Sequence, residues 1–189
     1  MLERGDSISQ DIPEEAYLVY KREIEAGRSR NSVLMNSLLM SRLLMLKEED
    51  FESLPDSAGG AGKRLYKTLR ENCCVVETAY YAATRPYPMS RMRRMLINAA
   101  LGISADYTNT SPPYMRVLSF NQKGREYLAK LENTALPLVT KPSAVKTHGV
   151  EAEKVFALGA SAHDLFRLQF VTNDDKKPGE DWRKGPIIV

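Results

Sequence analysis

Four arginines, Arg85, Arg91, Arg93 and Arg94, fall within the stretch Thr84 to Ile103, TRPYPMSRMRRMLINAALGI, and no Asp or Glu occurs between Glu77 and Asp106. The whole chain carries 27 Lys and Arg against 24 Asp and Glu, a net charge of +3, so this run is a local concentration of charge and not a reflection of composition. A guanidinium is planar, permanently charged and able to donate two parallel hydrogen bonds to a phosphate. Several on one face, with an aromatic ring such as Tyr87 beside them, form the footprint of a nucleic-acid contact. The plain alternative is a solvated basic face; the absence of acidic partners at i+4 favours the functional reading. Lys123 and Arg125, at the start of a later short helix, are further candidates for phosphate contact, against the alternative of ordinary turn charges.

Other chemistry finds little support. Cys73 and Cys74 are adjacent and have no other cysteine to pair with, which fits a reduced, intracellular protein. No CxxC occurs, and His148 and His163 lie far apart in sequence, so no metal site and no catalytic residue is assigned. Glycines precede a lysine in Ala58 to Arg64, but the spacing of a phosphate loop is not met and Arg64 stands where a hydroxyl residue belongs. The start, MLERGDSISQDIPEE, has no apolar run of the kind a signal peptide needs, and VLMNSLLMSRLLML is too interrupted for a membrane span.

The arginine run needs a helix to hold it. With Pro88 as its first position, Met89, Met92, Met95, Leu96, Ala99, Ala100 and Ile103 fall on one side and Arg91, Arg94, Ser90 and Asn98 on the other, with Arg93 at the boundary. The helix docks by its methionine face and holds three guanidiniums towards solvent, while Pro86 and Pro88 keep Arg85 and Tyr87 in an extended approach. Upstream, LERGDSIS reads as a helix end, and a helix capped by Asp11 runs to about Ala26, closed by Gly27. A third begins at Asn31 and is apolar on most of its circumference, as a buried central helix would be. KRLYKTLREN and CVVETAYYAA are further helices.

Beyond Pro112-Pro113 the pattern changes. MRVLSF reads as a strand, REYLAKLEN as a short helix and LPLVTK as a second strand, a β-α-β unit with a parallel pair. Val150 to Phe170 is a long helix with Val155, Phe156, Leu158, Leu165, Phe166 and Leu168 for its core. NDDKKPGEDWRKG is a mobile charged loop, and Pro186 to Val189 a final strand. The fold class is mainly α with a small α/β part: a helical bundle over residues 1–110 followed by a small α/β domain over 111–189 with a small parallel sheet.

TRPYPMSRMRRMLINAALGI followed by PPYMRVLSFNQKGREYL resembles the C-terminal half of the bacterial tRNA(Met) cytidine acetate ligase family, as do RLLMLKEEDFESLPD, LPLVTK and the segment Asp181 to Val189. The resemblance implies a family that activates acetate with ATP and acetylates the wobble cytidine of elongator tRNA(Met). Its adenylating N-terminal nucleotidyltransferase domain is expected to be absent here, since no HxGH-type sequence occurs. On that view the chain holds tRNA in the cytoplasm through Arg85, Tyr87, Arg91, Arg93, Arg94, Lys123 and Arg125, needs no cofactor of its own, and works with a separate nucleotidyltransferase domain that uses ATP and acetate. The chain departs from the family's Glu-Gly-Leu-Glu-Asn-Arg pattern at Gly59 to Arg64, where both acidic positions are gone, and from Lys-Arg-Tyr-Thr at Arg85-Pro86-Tyr87-Pro88. The competing function is a non-catalytic protein-interaction module whose arginine face meets an acidic partner.

Overall fold

A computed structural model of the chain describes residues 11–131 and 134–189. The helix end expected over Leu2 to Gln10 lies outside the described residues. The first described helix, α1 (Glu14–Glu25), has Pro13 and not Asp11 at its N-cap position, with no side-chain cap. The proline's φ of −54° starts the turn at that point, so the acidic first turn of Glu14 and Glu15 meets the helix dipole without a cap. Gly27, at φ +72°, ends the helix, and its carbonyl accepts from the Val171 N–H at 3.1 Å.

Helix α2 (Ser32–Leu43) is capped by the Asn31 side chain, which accepts from the Leu34 N–H. Only Leu39, Met40 and Leu43 of this helix are buried, and Val33 is 76% exposed, so α2 is not the fully buried centre that its composition predicts. It meets the bundle by its C-terminal half. The bundle continues with α3 (Glu48–Glu52), a 3-10 turn (Ala58–Gly60), α4 (Ala61–Glu71), α5 (Val75–Ala82) and α6 (Met89–Leu101). Phe51, Leu65, Leu69, Met92, Met95 and Leu96 are completely excluded from solvent at its centre. Each such side chain contributes about 1.5–3 kcal/mol by leaving water. The closest backbone approach is at Gly62, where an added Cβ would lie 2.3 Å from the Phe51 carbonyl oxygen.

After α7 (Ala105–Thr108) the chain forms β1 (Met115–Arg116), β2 (Ser119–Phe120), α8 (Gln122–Lys130), β3 (Leu138–Val139), a 3-10 segment (Pro142–His148), α9 (Val150–Arg167), α10 (Glu180–Arg183) and β4 (Ile187–Ile188). The architecture is mainly α with a small α/β part. β1 and β3 pair in parallel across the β-α-β unit, as expected. MRVLSF is two strands and not one: Val117-Leu118 separates β1 from β2, and β2 pairs in parallel with β4 in a second small sheet. A second core gathers Val139, Val145, Ala152, Phe156 and Ala160, with Tyr114 and Trp182 against it. Of the residues expected to build the core from α9, only Phe156 is fully buried; Phe166 and Leu168 are 40% and 42% exposed. The helix buries a narrow stripe at i, i+4, i+8 (Ala152, Phe156, Ala160), packed chiefly against the 3-10 segment, with Val139 of β3 in the same cluster.

The segment expected as a mobile charged loop is instead organised by ion pairs. Arg116 donates to Asp181 at 2.8 Å, and Asp181 also meets His163 Nδ1 at 3.0 Å. Glu180 pairs with the buried Arg167 and with Lys184. Trp182 packs on Phe156 at a centroid distance of 4.6 Å. Burial on its own pushes the Asp181 carboxyl up, but Arg116 and His163 reverse this and hold it below its ordinary value. Glu180 is likewise lowered: burial raises it, and Lys184 and Arg167 outweigh burial.

Two outcomes follow from this packing. Gly62→Ala is expected to lower stability by about 2 kcal/mol or more, read as a fall in the urea midpoint, because the Phe51 backbone must move aside. The Glu180 and Asp181 contributions are fully present above the unfolded carboxylate range of about 4 and are lost as pH falls through their lower folded values. Acidification from pH 6 towards 3 should therefore free α10 and red-shift the emission of Trp182, the only tryptophan. Emission that stays fixed until the far-ultraviolet circular dichroism collapses would show that the ion pairs do not hold this segment.

Candidate nucleic-acid interface

The acid-free stretch begins at the end of α5. Thr84 and Tyr87 exchange backbone hydrogen bonds of 2.9 and 3.0 Å, which makes Arg85-Pro86 the tip of a two-residue turn and not part of an extended approach. Proline's fixed φ suits the turn. Pro88, with ψ 151°, is the N-cap of α6 and Met89 its first residue. The methionine face is buried as its period requires: Met92, Met95, Leu96, Ala99 and Ala100. Gly102, at φ +73°, closes the helix before Ile103.

The opposite face is more committed than its sequence suggests. Arg91 donates from Nε to the Asp56 carbonyl at 2.9 Å and from Nη2 to the Ala58 carbonyl at 3.0 Å. Its guanidinium also lies over the Tyr87 ring, 5.2 Å from the centroid. The Tyr87 hydroxyl donates to the Gly59 carbonyl. Arg94 pairs with the Asp56 carboxylate at 2.9 Å, with both side chains about half exposed. Asp56 itself has φ +65°, the one positive value outside glycine among the described residues. A left-handed aspartate costs roughly 1 kcal/mol or more, and here the two arginines hold both its carbonyl and its carboxylate. The expectation of three unpaired outward guanidiniums is therefore corrected. Arg91 and Tyr87 are struts for the 54–60 loop, and Arg94 is half neutralised. No acidic residue is near in sequence, but the tertiary fold brings Asp56 from 38 positions away.

Arg85, at the turn tip, and Arg93, on the flank of α6, are exposed and make no hydrogen bond or ion pair among the described residues. Lys123 and Arg125 are also exposed, but on α8, which packs against β2 and not against the helical bundle. The structure thus gathers Tyr87, Arg91 and Arg94 about the 54–60 loop, with Arg85 on the adjoining turn, turns Arg93 to the flank of α6 that faces α2 and α5, and leaves Lys123 and Arg125 on a different element. Asp56 was the residue missed from sequence, and its only signal is its place in the Leu54-Pro55-Asp56 turn. Among the described residues no group of three or more His, Cys, Asp and Glu could hold a metal ion. No helix of the described residues is long and apolar enough to cross a membrane.

A family model described as HIGH Nucleotidyl Transferase matches residues 2–181. The chain belongs to that family. The match runs across nearly the whole chain and so does not support reading it as a portion outside the family's nucleotidyltransferase region. The chain is 27% identical over 207 residues to the tRNA(Met) cytidine acetate ligase of Thermosipho africanus, covering 97% of this chain and 48% of that protein. It is 26% identical to the enzyme of the same name from Fervidobacterium nodosum, covering 85% of this chain and 39% of that one. The chain thus spans about half or less of the length of these relatives. Its fold is similar to Thermotoga maritima TmcAL in the apo form, with a TM-score of 0.84, 22% identity and coverage of 94% of this chain and 46% of that one. Against the same protein bound with alpha-thio ATP the TM-score is 0.88 at 21% identity, covering 99% and 49%.

The unequal roles of the arginines can be measured. Arg94→Ala should cost no more than about 1 kcal/mol, since it removes one exposed ion pair. Arg91→Ala should cost more, about 1–2 kcal/mol, because the Asp56 and Ala58 carbonyls lose a charged donor. Equal urea midpoints for the two variants would show that Arg91 does not brace the loop.

Proposed function

We propose that this chain is the tRNA-binding part of a tRNA(Met) cytidine acetate ligase-like protein, with elongator tRNA(Met) as its RNA. The observation that carries the reading is the pair of exposed guanidiniums, Arg85 and Arg93, that have no hydrogen-bond or ion-pair partner among the described residues, in a stretch without acidic residues that includes Arg91 and Arg94 on a helix fixed by its buried methionine face. A phosphate backbone can reach the first two directly, and Arg94 exchanges its exposed partner for phosphate at little cost. Tyr87 positions Arg91, and Lys123 and Arg125 extend the contact if the RNA passes α8. In this reading the helical unit, residues 1–110, carries the RNA contact and the α/β unit, 111–189, adjoins it. ATP and acetate are the substrates of the whole ligase, and the setting is the cytoplasm.

A second reading, a protein-interaction module without RNA affinity, is favoured by one observation. An open groove of about 650 Å³ between α2 and α5 exposes Val33, Val76 and Ile97 and has Arg30 and Arg93 on its lining. An apolar groove of that kind suits a protein segment.

Binding of elongator tRNA(Met) separates the two. The chain should bind at low salt, with log affinity falling linearly as log salt rises, and Arg85→Ala with Arg93→Ala should flatten that slope by about 0.7–0.9 for each phosphate no longer neutralised. No binding at low salt, or a slope unchanged in the double variant, would leave the interaction module as the better account. Incubated with ATP, acetate and tRNA, the chain alone should form no acetylcytidine; product would place catalysis within it.

A further inference from the structure

A groove of about 510 Å³ runs along α4 and is bounded by the C-terminal end of α5. Lys63, Arg64 and Lys67 line it, with Tyr81 from α5, Gly60 at its start along α4 and Glu71 at its far end. None of these residues belongs to the arginine stretch. Helix α4 buries Ala61, Leu65 and Leu69, which leaves the lysines on the open side. Helix α5 buries Val75, Thr78, Ala79 and Ala82, which turns Tyr80 and Tyr81 outward, 64% and 60% exposed. The two rings meet edge to face at 5.3 Å, so Tyr80 steadies Tyr81, which remains 60% exposed.

The charges along the groove are unevenly committed. Lys67 has no carboxylate within ion-pair distance among the described residues. Lys63 pairs with Glu48 at 3.2 Å, an exposed pair that exchanges readily. Arg64 donates from Nε and one Nη to the Ala82 and Tyr81 carbonyls, which fixes the end of α5 and leaves its other Nη without a partner among the described residues. Gly60 sits at φ +87° with open space where a side chain would be. Glu71 opposes an anion at the far end, so phosphates are favoured between Gly60 and Lys67 and not beyond it.

We propose that this groove holds one nucleotide of a single-stranded RNA segment, with its base stacked on Tyr81 and its flanking phosphates on Lys63 and Lys67. The inference rests on the RNA-binding reading above and assigns it a second contact on different elements. A flat exposed ring between cations is what a base and its phosphates require. An acidic peptide has no use for the ring and would meet Glu71.

The experiment uses the full chain, a fluorescein-labelled oligouridylate and elongator tRNA(Met), with anisotropy at low salt as the readout. Tyr81→Ala should weaken oligouridylate binding about ten-fold, Tyr81→Phe should bind like the unaltered chain, and Lys67→Ala should reduce the salt slope by about 0.7, the value for one phosphate of a single strand. If Tyr81→Ala disturbs folding, Lys67→Glu on the exposed face gives the same test and should abolish oligouridylate binding. Variants that bind oligouridylate like the unaltered chain, while Arg85→Ala with Arg93→Ala loses tRNA, would overturn the groove and leave the RNA reading standing. An unaltered chain that binds neither RNA would overturn both. Oligoglutamate bound as tightly as oligouridylate would replace RNA in the groove with an acidic protein partner.

Discussion

The bundle depends on guanidiniums that close backbone carbonyls across helices. The last carbonyls of a helix have no partner within it, and the helix dipole makes them the negative end. In this fold the donors come from neighbours. Arg42 of α2 reaches the Ala100 carbonyl at the end of α6, and Arg64 of α4 reaches the last carbonyls of α5. Arg70 of α4 holds Leu44 and Leu46 just beyond α2, and Arg91 of α6 holds the loop after α3. A planar fork with several fixed donors suits this role better than an ammonium, and the charge is never lost to deprotonation. The short connections of the bundle are thereby tied down without large apolar loops.

This use of arginine has a consequence for the surface. A basic stretch in the sequence overstates the charge available to a ligand, because part of it is already committed to carbonyls. What remains is placed more rigidly. Arg91 is braced by Tyr87 and the Asp56 and Ala58 carbonyls, and the turn carrying Arg85 is closed by the Thr84–Tyr87 pair. Groups held still before binding lose less entropy when they meet a polyanion. The same logic operates on α4, where Arg64 fixes the end of α5 and so the backbone from which Tyr81 projects.

The α/β part is held differently. Its strands are two residues long and its buried core is small, so packing alone leaves the C-terminal segment weakly attached. Charge does the rest: Arg116, His163 and Asp181 join β1, α9 and α10, and Arg167 and Glu180 join α9 and α10 again. Arg167 is buried, and its Nε and the Gln169 amide nitrogen find no partner among the described residues, so the attachment is not without cost. Gln169 uses its carbonyl oxygen to accept from the Asn31 N–H, which ties this end of the chain to the start of α2.

Periodicity along the sequence was enough to determine the longer helices, the buried face of α6, the helix-to-strand change after Pro112-Pro113 and the parallel β-α-β pairing, but not the short helices α7 and α10. These are local or near-local properties: side chains three and four apart must share a face, and a glycine such as Gly27 ends a helix. Tertiary structure alone decided which charges are free. Asp56 reaches Arg94 across 38 positions, and Asp181 reaches Arg116 across 65, separations at which no pattern in the chain announces a partner. It also decided that α2 buries Leu39, Met40 and Leu43 but leaves Val33 and Leu34 exposed, and that Lys63, Lys67 and Tyr81 share a groove. Electrostatic pairing and exposure depend on which elements meet in space, and that is fixed only when the whole chain has packed.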